Sequence, residues 1–352
     1  MSTNERVLDN DSSAAGKLMA SEMAEQPARL AALLSRREEI ATEIRSVVPA
    51  RLEGTVLVAR GSSDHAATCG AYLLEMATGR PVALASPSVL TLYGHNTDYS
   101  GHLLIAVSQS GQTPEIVEVL RHARAGGART VAITNDAASP LAEAADLPVL
   151  LGAGQELAVP ATKTVTAQFA AFAIIAQSLG EIGLNDDVAD ELPRQVAEVL
   201  ADPSPARALA EWLADYDRLV TLARGLLLGA AREAALKIAE TTSMLTTGFS
   251  SADLRHGPIA IASRKPPFIA FAHPGPASPD VLGAVHELRT RGASVRVVGP
   301  VGGSDMGWPA AAPEILAPVL AVVRGQQIAL SLARLLGRDP DAPPGLSKVT
   351  PT

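Results

Sequence analysis

The segment with the most obvious chemical potential combines three hydroxyl side chains and a glycine directly after an apolar run. It follows residues 103–107 and reads Ser108-Gln109-Ser110-Gly111-Gln112-Thr113. The run predicts a buried parallel strand, and ligands bind at the carboxyl ends of such strands. A helix is predicted from Pro114 to Ala125, and its free N–H groups and partial positive charge favour an anion. The segment therefore predicts a cradle for a phosphate monoester. The alternative is an ordinary Ser/Thr helix cap.

A second loop of the same kind is Gly61-Ser62-Ser63-Asp64, between the apolar run 54–59 and a helix predicted over 66–76. Two such loops can face one ligand in a doubly wound sheet, so Ser62 or Ser63 could complete the cradle. A plain turn fits the Gly-Ser-Ser triplet equally well. The Ser108 to Thr113 loop is neither a P-loop nor the GxGxxG pattern of dinucleotide-binding folds.

Candidate proton-transfer groups lie in the second half of the chain. Glu233, Lys237 and Glu240 are spaced by four and three residues, which places them on one face of a predicted helix. In a cleft, a carboxylate beside a lysine could serve as a general base. The same spacing is also typical of a row of solvent-exposed ion pairs, and composition alone favours that alternative.

Two further residues complete the candidates. His256 precedes Gly257-Pro258 and is predicted to lie on a turn, where an imidazole suits proton transfer to or from a ligand. A structural turn histidine is the alternative. Lys348 belongs to a short C-terminal tail, and the sequence of that tail by itself is typical of a poorly ordered terminus.

Strands alternate with helices along the chain, which predicts an α/β fold with mostly parallel sheets. Residues 1–16 are expected to be disordered, and residues 17–48 carry helical periodicity. Strands of a first lobe are predicted over 54–59, 81–85, 103–107, 130–134 and 148–151. An acidic, proline-containing linker is predicted over 186–205. A second lobe is expected beyond it.

The second lobe repeats the pattern of the first. Residues 219–225 end in Ala-Arg-Gly, as does the run that ends at Gly61. The apolar runs 268–271 and 104–107 are separated by the same number of residues as the two Ala-Arg-Gly triplets. Short repeats of Ala, Gly and Val also arise by chance. The constant spacing of several matches favours a duplicated domain.

Composition narrows the function classes. The chain is 47% hydrophobic but only 3% aromatic, and its net charge is −8, which argues against a nucleic-acid surface. Its one cysteine, Cys69, permits no intramolecular disulfide and no zinc cluster of thiolates. The polar start lacks the apolar core of a signal peptide, and the apolar run 165–179 contains polar side chains that favour a core helix over a membrane span. We therefore expect a cytoplasmic protein without nucleic-acid or membrane partners.

Together these motifs resemble the sugar isomerase (SIS) family. The resemblance is strongest to the isomerase half of glucosamine-6-phosphate synthase and to stand-alone amino-sugar-phosphate deaminases, and it covers roughly residues 20–352. The matching motifs, in family order, are Glu25-Gln26-Pro27, Gly61-Ser62-Ser63, Ser108 to Thr113, Ala161-Thr162-Lys163, Ala235-Leu236-Lys237 with Glu240, Arg255-His256-Gly257-Pro258 and Lys348-Val349-Thr350. This resemblance implies two tandem SIS domains, each with a Rossmann-like five-stranded sheet. They would cover 49–185 and 206–340, followed by a tail over 341–352 that closes the site.

The resemblance also implies roles for single residues. The phosphate would be held by Ser63, Ser108, Gln109, Ser110 and Thr113, and the sugar pocket would be lined by Val159 and Ala161. Glu240 would carry a proton between C1 and C2 with Lys237 beside it. His256 would assist ring opening from the neighbouring subunit of a homodimer, and Lys348 would close over the substrate. No metal or organic cofactor is implied.

Two departures from the family pattern affect the expected reaction. Position 2 is Ser and Cys69 falls inside a predicted helix, so glutamine-dependent synthesis is not expected. Residues 244–249 replace a stretch that usually carries His and Glu, and Asp253 stands where Glu is common.

Three functions remain open at this point. One is deamination of glucosamine 6-phosphate to fructose 6-phosphate and ammonia. Another is dehydration of an (N-acetyl)glucosamine 6-phosphate after C2 deprotonation, with room for the acetyl group at residues 246–248. The third is a non-catalytic phosphosugar sensor. The sequence leaves open the choice between gluco and galacto isomers.

Overall fold

A computed structural model describes residues 15–264, 266–310 and 312–348 of the chain. Most of the stretch predicted to be disordered, residues 1–14, lies outside these ranges, as do the last four residues of the tail. The prediction is wrong for Gly16, which forms a turn whose backbone N–H donates to Asp339 Oδ1 at 2.9 Å.

The first lobe is built on a five-stranded, wholly parallel sheet in the order β2-β1-β3-β4-β5. Its strands are β1 (Gly54–Val58), β2 (Val82–Leu84), β3 (His102–Val107), β4 (Arg129–Thr134) and β5 (Leu147–Leu150). The central strands are buried along almost their whole length because helices cover both faces, which explains their continuous apolar runs. The predicted α/β class is confirmed.

The second lobe repeats this plan with one strand fewer. Its sheet has the order β7-β6-β8-β9, formed by β6 (Arg218–Ala223), β7 (Leu245–Ser250), β8 (Pro267–Phe271) and β9 (Ser294–Val298). The position of a fifth strand is reduced to a single parallel bridge between Val298 and Met306. The glycines and proline around Met306 interrupt any longer ladder, so the expectation of five strands is wrong for this lobe. The equivalent strand order supports the predicted duplication.

Helices join the two lobes into one body. They are α1 (Lys17–Leu34), α2 (Arg37–Val47), α3 (Ser62–Thr78), α4 (Ser88–Thr91), α5 (Pro114–Ala125), α6 (Pro140–Ala144), α7 (Lys163–Leu179), α8 (Asp186–Ala201), α9 (Ser204–Leu213), α10 (Leu227–Thr242), α11 (Ser251–Arg255), α12 (Ser278–Thr290) and α13 (Ala317–Leu335), with a 3₁₀ helix at Pro258–Arg264. One apolar cluster extends from Leu57 in β1 through Phe169 in α7 to Ile238 in α10. The lobes therefore share a core.

The predicted linker is an ordered helix. α8 occupies most of 186–205, and the Asn185 side chain caps it by accepting the Val188 N–H at 3.0 Å. Acidic residues in its first turn suit the helix dipole, and its apolar face packs against α1. The acidic and proline-containing composition reflects the exposed face of a helix.

The apolar run 165–179 is the core helix that the sequence predicts. α7 is buried on nearly all sides between α1, α2 and α3. Within the described ranges, no helix is both long and apolar enough to cross a membrane.

The contact between lobes depends on a close crossing of α3 and α10. A methyl group at Gly229 in α10 would overlap the carbonyl oxygen of His65 in α3. Backbone atoms on both helices therefore approach more closely than any side chain would allow.

We expect Gly229→Ala to push the two helices apart and to lower the free energy of unfolding by about 1–3 kcal/mol, a usual cost of overpacking a core. Urea denaturation measures the loss. Gly283→Ala in α12 is the matched control, because its added methyl group would meet only the flexible end of Arg255, with the nearest atom at 3.1 Å. That variant should be neutral or stabilised by roughly 0.5–1 kcal/mol, as Ala favours helices over Gly. Equal effects of both substitutions would contradict the close crossing.

Candidate active site

A cleft of about 370 Å³ lies between the carboxyl edge of the first sheet, helix α10 and the C-terminal tail. Eleven of the twelve predicted site residues line it. They are Ser62, Ser63, Ser108, Gln109, Ser110, Thr113, Val159, Ala161, Lys237, Glu240 and Lys348. The cleft also contains Arg60, Gly61, Leu346 and Ser347. Only His256 is missing from the predicted set.

The loop after β3 is folded as an open cradle. The Gly111 N–H donates to Ser108 Oγ at 3.2 Å, and Gly111 has a φ of +62° where any side chain would overlap Ser139. Thr113 is the N-cap residue of α5, but its side chain makes no capping hydrogen bond. Its hydroxyl group lies 3.5 Å from Ser108 Oγ. The hydroxyl group of Thr113 therefore does not cap α5, and the alternative of an ordinary Ser/Thr helix cap does not hold for this residue.

The loop after β1 faces the same space. β1 and β3 are neighbours in the sheet, so the first turns of α3 and α5 lie side by side at its carboxyl edge. Gly61 has a φ of +57°, which lets the chain enter α3 directly after the strand. Ser63 is held in place by Gln168, whose Nε2 donates to Ser63 Oγ at 3.0 Å. Two helix N-termini and several hydroxyl groups thus converge, an arrangement that suits a phosphate group.

Arg60 adds a positive charge beside this cradle. Its guanidinium Nη2 lies 2.7 Å from Glu115 Oε2 in the first turn of α5, and its side chain is 47% exposed. Sequence analysis did not select it, although its position between β1 and Gly61 places it at the same sheet edge.

On α10, Glu233, Lys237 and Glu240 share one face, but that face is not solvated. The side chains of Glu233 and Lys237 are 0% and 1% exposed. The Lys237 ammonium donates to Glu240 Oε2 and lies 3.5 Å from Glu233 Oε1. The alternative of a solvent-exposed row of ion pairs is therefore wrong.

Opposite charges hold this buried group ionised. Burial alone would raise the pKa of Glu233, but the charge of Lys237 and hydrogen bonds from His65 and Ser62 outweigh it and lower that pKa. Burial likewise opposes the ammonium of Lys237, yet the two neighbouring carboxylates raise its pKa. Lys237 is therefore a fixed cation, which suits it to donate a hydrogen bond to Glu240 rather than to act as a base.

His65 links the two lobes at this point. Its Nδ1 lies 2.8 Å from Glu233 Oε2, so a residue of α3 in the first lobe bonds the buried carboxylate of α10 in the second. Sequence analysis missed His65, because nothing in its local pattern indicates a partner so distant in the chain.

The tail lysine is paired with another buried carboxylate. Lys348 Nζ lies 2.7 Å from Glu156 Oε2, and Glu156 also accepts the Thr162 N–H at 2.9 Å and the Thr164 hydroxyl at 2.7 Å. Burial would raise the pKa of Glu156, but Lys348 and these hydrogen bonds outweigh it and lower that pKa. Glu156 lies within the loop between β5 and α7, which also carries Val159 and Ala161. It too was missed by sequence analysis, although it stands just before the Ala161-Thr162-Lys163 motif.

Two predicted features lie elsewhere. His256 follows α11 on an exposed turn and does not reach the cleft of its own chain. Residues 246–248 belong to edge strand β7, and Thr246 Oγ1 donates to the Ala235 carbonyl at 2.7 Å. The proposed room for an acetyl group at residues 246–248 is therefore wrong, because these residues do not line the cleft. Within the described ranges, no group of three or more His, Cys, Asp or Glu residues is arranged to hold a metal ion.

Comparison with known proteins agrees with this architecture. A family model of the SIS domain matches residues 54–178 and 212–306. Glutamine–fructose-6-phosphate aminotransferase (isomerizing) from Methanothermobacter thermautotrophicus is 29% identical over 338 residues, which are 94% of this chain and 56% of that relative. This chain thus spans little more than half the length of that relative.

Two solved structures are also similar. A protein assigned as a phosphosugar isomerase from Silicibacter pomeroyi DSS-3 has a TM-score of 0.84 and 31% identity, over 92% of this chain and 99% of that one. Glucosamine-6-phosphate deaminase from Thermotoga maritima has a TM-score of 0.74 over 96% of this chain and 100% of that one. Because the identity is only 22%, this second similarity shows a shared fold and nothing more.

We expect Lys237→Met to lower the free energy of unfolding by about 3–5 kcal/mol near pH 7, because it leaves Glu233 as an uncompensated buried charge. Without Lys237 the pKa of Glu233 in the folded state rises above its unfolded value. The penalty is therefore present at neutral pH and is relieved as the pH falls through the raised pKa. Denaturant unfolding over a pH series measures this.

The double variant Lys237→Met/Glu233→Gln is the control, since it removes the stranded charge together with its partner. It should recover much of the stability that the single variant loses at neutral pH. A single variant whose deficit is the same at pH 5 and pH 8 would show that the buried charge is not its cause.

Proposed function

The chain belongs to the SIS domain family, and we propose that it is an amino-sugar 6-phosphate isomerase that deaminates glucosamine 6-phosphate to fructose 6-phosphate and ammonia. The observation that carries the proposal is one cleft that joins a hydroxyl-lined cradle at two helix N-termini to a carboxylate paired with a buried lysine. These two parts match the two ends of a hexosamine 6-phosphate.

The cradle is proposed to bind the phosphate. Hydroxyl groups of Ser63, Ser108, Ser110 and Thr113, together with backbone N–H groups of α3 and α5, offer donors to a dianion. Arg60 adds charge at the same end. Val159 and Ala161 would then lie along the sugar carbons.

Glu240 is proposed as the base at C1 and C2. In the open-chain aldehyde form of the substrate, its carboxylate removes the proton from C2, the electron pair forms the C1–C2 double bond, and the carbonyl π pair moves to O1, which takes a proton from the C2 ammonium group. Return of the proton to C1 leaves a C2 imine. Water adds to that imine, the C2–N bond breaks, and ammonia leaves with fructose 6-phosphate. Lys237 donates a hydrogen bond to Glu240 and orients its carboxylate, and Lys348 on the tail covers the site.

Charge at the sugar end supports an amine substrate over an acetamide. Three carboxylates, Glu156, Glu233 and Glu240, are grouped with two ammonium groups, Lys237 and Lys348. Of the three carboxylates only Glu240 lines the cleft, where it offers a protonated C2 amine an acceptor of opposite charge, whereas an N-acetyl group is neutral. Because the C2 substituent decides between imine formation and loss of water, this favours deamination.

Ring opening is proposed to use His256 from a second copy of the chain in a homodimer. Among the described residues, no histidine lines the cleft, and His256 is exposed on its turn. A partner that presents this turn to the cleft would supply a group able to transfer a proton at the ring oxygen.

The direct test is incubation with glucosamine 6-phosphate, its N-acetyl form and the galacto isomers, with assays for ammonia and for product mass. Ammonia and a ketose phosphate from the free amine support the proposal. Loss of one water without ammonia would instead indicate a dehydratase. Binding without turnover of any of these sugars would indicate a sensor.

We expect Glu240→Gln to lower kcat by at least about 10²-fold, the usual contribution of a general base, with phosphate binding retained. Wild-type protein in D₂O should place deuterium at C1 of the product or C2 of recovered substrate, and the variant should not. Ser110→Ala is the contrasting variant: it should raise KM by roughly 10- to 150-fold, the loss of one charge-assisted hydrogen bond, with a smaller effect on kcat. Normal turnover by Glu240→Gln would remove the proposed base.

The shared site is tested by mixing two inactive proteins, Glu240→Gln and His256→Ala. A mixed dimer contains one site with both native residues, so activity should reappear and approach one quarter of the wild-type value per subunit when exchange is random. If subunits demonstrably exchange and activity does not return, His256 does not act across the interface.

A further inference from the structure

The first turn of α1 is capped by a residue of the tail rather than by its own sequence. Gly16, at the N-cap position, offers no side chain. Instead Asp341 Oδ2 accepts the Leu18 N–H and Asp341 Oδ1 accepts the Met19 N–H, both at 2.8 Å. A carboxylate in this position satisfies two free N–H groups and faces the positive end of the helix dipole.

Neighbouring contacts fix this junction. Gly16 has a φ of +69°, and a methyl group there would lie 2.6 Å from Leu330 and 2.7 Å from Pro340. Arg334 Nε donates to the Ala15 carbonyl at 3.0 Å. The start of α1 is therefore tightly joined to the segment from which the tail emerges.

The same helix holds the loop of the sugar pocket. Glu22, one turn after Leu18, accepts backbone N–H groups of Leu157 and Ala158. Gln26, a further turn along, donates to Gln326, whose amide donates in turn to the Thr162 carbonyl at 3.1 Å. These positions are four residues apart and share a face of α1.

Glu25 extends the contact by pairing with the buried Lys163 at 2.8 Å. The loop that α1 holds in this way carries Glu156, and Glu156 is the partner of Lys348 at the end of the tail. The tail is thus tied at its root to the N-terminus of α1 and near its end to a loop that α1 positions. None of α1 lies in the two segments matched by the SIS model.

We propose that Asp341 is a positioning residue of the active site: by capping α1 it fixes the root of the tail relative to the sugar-pocket loop, so that Lys348 lies over the substrate. The expected effect of Asp341 on turnover rests on the proposed function. Its expected effect on the position of the tail does not. Asp341 itself does not line the cleft.

The kinetic test compares Asp341→Ala with Asp341→Asn, Lys348→Ala and the double variant Asp341→Ala/Lys348→Ala. Loss of a helix cap shifts an equilibrium by about 2- to 30-fold, so Asp341→Ala should lower kcat/KM within that range. Asp341→Asn should lose less activity than Asp341→Ala without matching the wild type, since its single amide oxygen can accept only one of the two N–H groups. The double variant should be no worse than Lys348→Ala, because Asp341 acts through the tail. Additive losses would overturn the proposal.

A matched control is Asn185→Ala, which removes the cap of α8, a helix that also packs against α1. It should cost stability without changing kcat/KM. An equal fall in activity would show that Asp341→Ala acts only through general destabilisation, and would also overturn the proposal.

Hydrogen–deuterium exchange tests the structural part without any turnover. Asp341→Ala should speed exchange both in the first turn of α1 and in residues 342–348, whereas Lys348→Ala should affect only the tail. Faster exchange confined to α1 would reduce Asp341 to a simple cap and overturn the proposal. If the wild-type protein deaminates no sugar phosphate but the predicted exchange pattern appears, the proposed function fails and the positioning role stands.

Discussion

The buried charge group on α10 is the constraint on which the rest of the structure depends. Lys237 and Glu233 are fully buried and remain charged away from water only if each has a partner, since one unpaired buried ion costs several kcal/mol. Glu233 meets this requirement with Lys237 on its own helix and with His65 from α3. The lobes must therefore stay in register, because sliding α3 along α10 would separate His65 from Glu233. The close backbone contact between Gly229 and α3 restricts the same relative position of the two helices by steric exclusion.

The two lobes share a topology but have divided the chemistry between them. After β3 the first lobe carries three hydroxyl residues, whereas the equivalent turn after β8 begins His273-Pro274-Gly275-Pro276 and has no hydroxyl group until Ser278. The second lobe contributes the charged face of α10 instead. A duplicated fold offers two crevices at sheet edges, and here one hydroxyl-rich loop and one charged helix face meet in a single cleft between the lobes.

Local patterns in the sequence predicted the strands of the first lobe, the two hydroxyl-rich loops and the shared face of α10. The family resemblance alone implied Val159, Ala161 and Lys348. The Ser108 to Thr113 loop follows a strand whose apolar run has few other structural interpretations, and the spacing of Glu233, Lys237 and Glu240 determines which side chains share a face. Burial of that face was not predictable locally, since it depends on α3 and α13 covering α10. His65 and Glu156 were missed for the same reason. The linker prediction failed because acidic residues and prolines occur equally on exposed helix faces and helix ends.

The distribution of charge along the cleft has a consequence for how a sugar phosphate would lie in it. Arg60 and two helix N-termini stand at one end, while the other end is lined by Glu240 with Lys237 and Lys348, and the carboxylates of Glu233 and Glu156 are buried behind these lysines. A phosphate dianion at the second end would lie against the Glu240 carboxylate, and repulsion between like charges is stronger in a partly desolvated site than in water. An ammonium group at the first end would meet the positive ends of α3 and α5. Both effects favour the same orientation, in which C1 and C2 lie beside Glu240 and the tail closes over them. The tail can cover that end because its root is fixed on α1, the helix that also holds the loop carrying Glu156.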